Sequence, residues 1–180
     1  MTTDAALPVP LRLQLPGPEW RAVDPAAWGV SNAALLAVRG GLDGDYVPTI
    51  AVSGDWRNDG TPIEAIADES LAKLRAEGAT DVELIKRRVT GGEHTPSVAQ
   101  SIGATVVVDG RRFDVRQAQV VAGLIDVDDP TKRVVVIYTL SCTYQQLPAM
   151  GPEFQRFVAS IRVVPDDDVT WDDAGSGDQR

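Results

Sequence analysis

Leu11, Leu13 and Leu15 alternate with Arg12 and Gln14, the period of two that marks a half-buried β-strand. Trp20 to Val23, Ala33 to Val38 and Pro48 to Trp56 continue the series, with Ile50, Val52 and Trp56 sharing one face of the last. The period then changes. Ile63, Ile66, Ala67, Ser70, Leu71 and Leu74 recur at helical spacing behind Thr61-Pro62-Ile63-Glu64, a capping hydroxyl, a proline at the first helical position and a carboxylate three residues after the cap. Gly78 is placed to stop that helix.

Strands return at Asp81 to Val89, Gly103 to Val108 and Arg112 to Ile125, the last two flanking Asp109-Gly110, a dipeptide suited to a tight hairpin turn. The clearest strand runs from Arg133 to Tyr144. Val134, Val136, Tyr138, Leu140, Cys142 and Tyr144 form one face, while on the other Val135 and Ile137 give way to Thr139, Ser141 and Thr143. Apolar groups on both sides at its start place it centrally in a sheet. A second helix is predicted over about Gly151 to Ala159, Pro152 in its first turn and Phe154, Phe157 and Val158 inward, with Ile161 and Val163 in a closing extended segment. Strands joined by short turns, with two helices, predict an α+β fold: an antiparallel sheet packed between helices. The alternative architecture is a cone of curved sheet plus helix, with a pocket between them.

Residues 1–164 read as one domain, since a chain of 180 residues is of single-domain size. From Pro165 onward six aspartates face Arg180 alone, and that −5, taken from the net −9, leaves −4 for the rest. With few apolar residues, 165–180 reads as a disordered acidic tail. The acidic balance disfavours nucleic acid and anionic lipid as partners. The amino terminus lacks the charge and apolar core of a secretion signal, and no run suits membrane insertion. A cytoplasmic protein, monomeric or weakly dimeric, is expected.

Chemistry is limited by one histidine and one cysteine. His94 sits in Gly91-Gly92-Glu93-His94-Thr95-Pro96 and reads as an exposed loop residue; Cys142 reads as a small core hydrophobe. Together they cannot supply the ligands that zinc prefers. Asp126, Asp128 and Asp129 lack the spacing of a calcium loop and read as a solvated turn. Phosphate-cradling motifs are missing. No catalytic residue, metal site or cofactor is therefore expected.

Two sets of residues are candidates for interaction. Lys86, Arg87, Arg88, Arg111, Arg112 and Arg116 fall on strands that could adjoin and form a positive face, of which Arg87, Arg88, Arg112 and Arg116 are the candidate contacts. In the tail, Val169 and Trp171 stand inside an acidic tract, an apolar anchor for a partner or for the basic strands. Trp20, Trp28 and Trp56 read as core fillers.

Pro48-Thr49-Ile50-Ala51-Val52, the helix from Ile63, Gly103-Ala104-Thr105, the hairpin at Asp109-Gly110-Arg111, and Tyr138-Thr139-Leu140-Ser141-Cys142-Thr143 followed by Phe154, Phe157, Ser160 and Ile161 resemble the PsbP-like superfamily, in particular its mycobacterial LpqN-type branch and cytosolic relatives. The resemblance spans about Leu11 to Val163 and implies an antiparallel sheet sandwiched by helices. It also implies a non-enzymatic role, among assembly factors, small-GTPase regulators, secretion adaptors and surface lipoproteins. The chain departs from the lipoproteins in having no lipid-accepting cysteine near its start. The functional expectation is a non-catalytic protein-binding or adaptor domain. The alternatives are a ligand-binding or enzymatic cone, whose pocket would gather Asp, His or Tyr groups, and a secretion-associated chaperone.

Overall fold

A computed structural model describes residues 7–42 and 46–164. The elements follow in the order β1 (Leu11–Arg12), β2 (Trp20–Val23), a 3-10 turn (Ala26–Trp28), β3 (Leu35–Arg39), β4 (Thr49–Trp56), α1 (Ile63–Ala76), β5 (Thr80–Gly91), β6 (Pro96–Val108), β7 (Arg111–Ile125), β8 (Arg133–Thr143), α2 (Leu147–Ser160) and β9 (Arg162–Val163). Among these residues β2 to β8 form one sheet in the order β2-β3-β4-β8-β7-β6-β5, antiparallel at every pairing, and β1 pairs with β9.

The alternation along β8 divides the core into two layers. Val134, Val136, Tyr138, Leu140 and Cys142 join Ile50, Val52, Leu35 and Ala37 beneath Met150, Phe154 and Phe157 of α2. Val135, on the opposite face, joins Val98 and Val121 beneath Ile63, Ile66 and Ala67 of α1, and Ile102 extends that contact to Leu71 and Leu74. The sheet is thus sandwiched between helices, as expected, and the cone alternative does not hold: each helix takes its own face.

Chain reversals follow local chemistry. At the end of α1 the Ala79 amide donates to the Leu74 carbonyl at 3.0 Å and the Gly78 amide to Arg75 at 3.1 Å, a pairing that needs the left-handed backbone glycine supplies, φ +96° at Gly78. Asp109 and Gly110 both have positive φ, 51° and 76°, as the hairpin requires. Between β7 and β8, Asp126 Oδ1 accepts from the Asp128 amide at 2.8 Å, making the acidic stretch a self-bonded turn.

Several expectations need correction. Thr61 does not cap α1 with its hydroxyl; Pro62 stands at the cap, and the Thr61 amide donates back to Asp59 Oδ1 at 3.1 Å. α2 begins at Leu147, one turn early, so Pro148 occupies its first turn and Pro152 lies inside it. β6 begins at Pro96 rather than Gly103. Only Leu11 and Arg12 of the first leucine series form a strand, although Leu13 is buried and Leu11 and Leu15 pack on the core. Of the three tryptophans, Trp20 alone is core; Trp28 and Trp56 are 44% and 50% exposed.

Candidate functional site

α1 crosses from β4 to the far edge strand β5 and packs over β5, β6 and β7. Beyond Val135, which lies under the helix, it leaves the β3, β4 and β8 part of its face uncovered. A cleft of about 1160 Å³ opens there, walled by α1 on one side and by residues 29–34 on the other. Its floor follows from register: Thr49 pairs with Ser141, Ala51 with Thr139 and Ser53 with Ile137 between β4 and β8, while Gln117 pairs with Ser141 and Gln119 with Thr139 between β7 and β8. Residues paired across adjacent strands share a face. The drift from Val135 and Ile137 to Thr139 and Ser141 is therefore a gradient along one cleft, apolar beside Ile66 and hydroxyl-rich beyond it.

A chain of side-chain hydrogen bonds runs into this floor from the sheet edge. Asp68 Oδ1 accepts from Arg87 Nη2 at 2.7 Å. Arg87 Nε and Nη2 donate to Gln100 Oε1 at 3.0 and 2.7 Å. Gln100 Nε2 donates to the Ala67 carbonyl at 3.0 Å and to Gln119 Oε1 at 2.9 Å. Gln119 Nε2 then donates to Thr139 Oγ1 at 3.2 Å. Arginine can only donate, so Gln100 must turn its oxygen toward Arg87, and the direction of each later bond is fixed in turn. Both lone pairs and both amide hydrogens of Gln100 are used, which satisfies a buried amide. In parallel, Gln117 Nε2 donates to Ser141 Oγ at 3.1 Å.

Charges line the rim of the cleft, and four of them are mutually paired. Arg57 holds Glu69 through two bonds, 2.7 and 2.9 Å, and lies 3.2 Å from Asp59. The Arg57 hydrogen bond holds the Glu69 carboxyl below its ordinary range, against a smaller opposing effect of burial. Lys73 and Glu77 pair more loosely at 3.9 Å. From Ser53 and Ile137 to Thr49 and Ser141 the strand floor carries no titratable side chain, while exposed Asp55, which pairs with Val135, stands at its apolar end.

The candidate contacts divide between the two faces of the sheet, Arg88, Arg112 and Arg116 with Lys86 on one and Arg87 on the other. Pairings of β5 with β6 and of β6 with β7 put Lys86 and Arg88 opposite Ser101 and Ala99, on the α2 side, while Arg87 opposes Gln100 on the α1 side. Arg112 and Arg116 fall on the α2 side of β7. Arg88 and Lys86 line a second groove of about 570 Å³ beside Phe154 and Val158. Arg116 pairs with Asp114 and stacks 4.9 Å from the Tyr144 ring centroid. Val169 and Trp171 lie outside the described residues, as does the whole 165–180 tail.

The residues considered for catalysis are elsewhere. His94 is exposed in the β5–β6 loop, its carbonyl accepting from the Ile125 amide at 2.9 Å. Cys142 is fully buried on the α2 side, and burial pushes its thiol up to about 11. Among the described residues no group of three His, Cys, Asp or Glu side chains is placed to hold a metal ion, and no helix is long and apolar enough to cross a membrane.

Sequence reasoning missed Gln100, Gln117 and Gln119. The signal was present: a glutamine at an inward position between Val98 and Ile102, and two more at alternate positions before Val121. Polar residues at core-facing positions must be bonded to one another or to something that enters.

No protein-family model matches the chain, and no curated protein sequence is significantly similar to it. Solved structures do match. LpqN of Mycobacterium tuberculosis, involved in cell envelope biogenesis, superposes with a TM-score of 0.57 at 12% identity, covering 92% of this chain and 90% of LpqN. A Pseudomonas aeruginosa protein of unknown function gives 0.52 at 17% identity, covering 72% and 82%. The PsbP protein CyanoP of Synechocystis sp. PCC 6803 gives 0.50 at 12% identity, covering 82% and 83%. Matches extending over most of both chains, on an antiparallel sheet with one helix to each face, identify the fold as PsbP-like, of the LpqN type.

Proposed function

We propose that this chain is a non-catalytic binding domain that holds a segment of a protein partner in the cleft between α1 and the sheet. The observation that carries the reading is the cleft floor: half-buried Thr49, Ser53, Gln117, Thr139 and Ser141, and buried Gln119, offer neutral hydrogen-bonding groups, with no histidine, cysteine, lysine or carboxylate among them to activate a hydroxyl. An enzymatic pocket would bring such groups together. Here His94 is on a loop, and Tyr138 and Cys142 lie on the opposite face.

Adaptor function suits a site of this shape, because neutral bonding groups select a partner without transforming it. A cytoplasmic location belongs to the same proposal; the single cysteine, with no partner for an internal disulfide, is compatible with it. LpqN belongs to envelope biogenesis, so cell fractionation decides between the two compartments.

Site-specific photo-crosslinking in cells tests the cleft. A benzoylphenylalanine at Lys73, on the α1 wall, is expected to yield a discrete adduct with another polypeptide, and the same group at Arg88, on the α2 side, none. Adducts from Arg88 alone would move the binding surface to the other face and overturn the reading.

A further inference from the structure

The hydrogen-bond chain fixes what the floor offers to a ligand. Thr139 Oγ1 and Ser141 Oγ each accept from a glutamine amide. Among the described residues neither hydroxyl has a protein acceptor for its own hydrogen. Both are therefore donors into the cleft, held in place by the amides behind them. They stand two residues apart on β8, on one face, so their spacing is about 7 Å. An extended polypeptide repeats its carbonyls on one side at the same interval, because it too advances about 3.4 Å per residue and alternates sides.

We propose that the cleft takes an extended, uncharged peptide segment laid along β8, with alternate backbone carbonyl oxygens accepting from the Thr139 and Ser141 hydroxyls. This rests on the cleft reading above and names its ligand. The segment is uncharged over Ile137 to Ser141 because Arg57 is committed to Glu69 and Lys73 to Glu77, and the remaining carboxylate, Asp55, stands at the far end beside Val135. An ionic group on the floor would be desolvated without a counter-charge. From Val135 to Ser141 the floor runs about 20 Å, room for about six extended residues. Small apolar side chains suit the end beside Ile66, Val135 and Ile137, and polar ones the Ser141 end.

The test uses the purified full chain and an array of capped nonapeptides, half without charged residues and half carrying two or more. Uncharged members are expected to bind. For the best of them, Thr139→Val and Ser141→Ala are each expected to weaken binding about tenfold, the scale of one hydrogen bond. Thr139→Ser, which keeps the hydroxyl, is expected to bind as the parent does. An alkene isostere replacing the engaged peptide bond should lose affinity for the parent but not for Thr139→Val. That pattern separates a direct bond from a loss of fold.

Binding confined to charged peptides, or equal in the parent and both hydroxyl-deficient variants, would overturn the inference. Maltoheptaose is the second probe. If it binds through the same two hydroxyls while no peptide does, the cleft stands as a site and the peptide is wrong. If neither probe binds but Lys73 still cross-links to a polypeptide, the extended-segment geometry falls and the protein-binding reading survives.

Discussion

Trp20, Arg39 and Glu153 meet beneath the edge of the sheet, where the Trp20 indole donates to Glu153 Oε2 at 2.8 Å and the Arg39 guanidinium holds both carboxylate oxygens at 3.2 and 3.1 Å. A carboxylate so enclosed is favourable only while its donors remain, since both charged side chains are largely withdrawn from water. The Arg39 hydrogen bond holds the Glu153 carboxyl below its ordinary range, with burial opposing and Trp20 adding to the effect. A folded-state pKa depressed in this way adds stability above the unfolded value, near 4.3, and that stability is lost as pH falls through the folded value. Glu153→Gln is therefore expected to lower stability at pH 7 by about 1–3 kcal/mol, with the deficit shrinking below about pH 4. Urea melts of both proteins across pH 3 to 7 measure it. A deficit that stayed constant over that range would show that the charge is not what the pair contributes.

At the scale of elements, the paired glutamines tie α1 to the sheet by polar contacts where Ile63, Ile66 and Ala67 do so by apolar ones. Gln100→Leu removes a saturated amide, strands Gln119 Oε1 and leaves the Arg87 guanidinium with Asp68 as its remaining partner, so a loss of about 1–3 kcal/mol is expected, larger than for an exposed glutamine. Hydrogen exchange should show the α1 amides losing protection before those of α2. Equal loss in both helices would mean that the bond to Ala67 does not anchor α1. The same residues show what a sequence discloses. The alternating apolar stretches made β4, β7 and β8 legible, together with the helix stripe of α1, because burial on one face imposes its period directly, and Asp109-Gly110 marked the turn from β6 into β7. The first half of β6 was not, since Ser97, Ala99, Gln100 and Ser101 give it little hydrophobic contrast. The polar turn of β8 at Thr139 and Ser141 was visible, but its meaning was not: only the cross-strand register shows that these hydroxyls meet Gln117, Gln119 and Thr49 on one floor. Trp28 and Trp56 were misread because aromatic size suggests burial while strand ends and short turns leave it incomplete.

In the whole molecule the two ends of the described body clamp each other. Leu11 and Arg12 pair with Val163 and Arg162, the Val164 amide donates to the Pro10 carbonyl at 3.0 Å, and Ser160 Oγ accepts from the Gln14 amide at 3.0 Å. This closure follows α2 and covers Leu11, Leu13 and Leu15 at the rim of its core layer. Residues 165–180 carry more than half of the net charge of −9 and follow the last bond of the clamp. A chain ending at Val164 keeps the clamp and sheds that repulsion, so its melting temperature is expected to match the full chain within about 2 °C. A chain ending at Ser160 loses β9 and the Val164 bond, a few hydrogen bonds and some apolar cover. Its melting temperature is expected to drop by about 5–10 °C, corresponding to about 2–3 kcal/mol for a domain of this size. Scanning calorimetry of the three chains distinguishes these outcomes. A drop on removing residues 165–180 as large as that on removing β9 as well would place part of the acidic segment within the folded unit, and the domain would extend beyond residue 164.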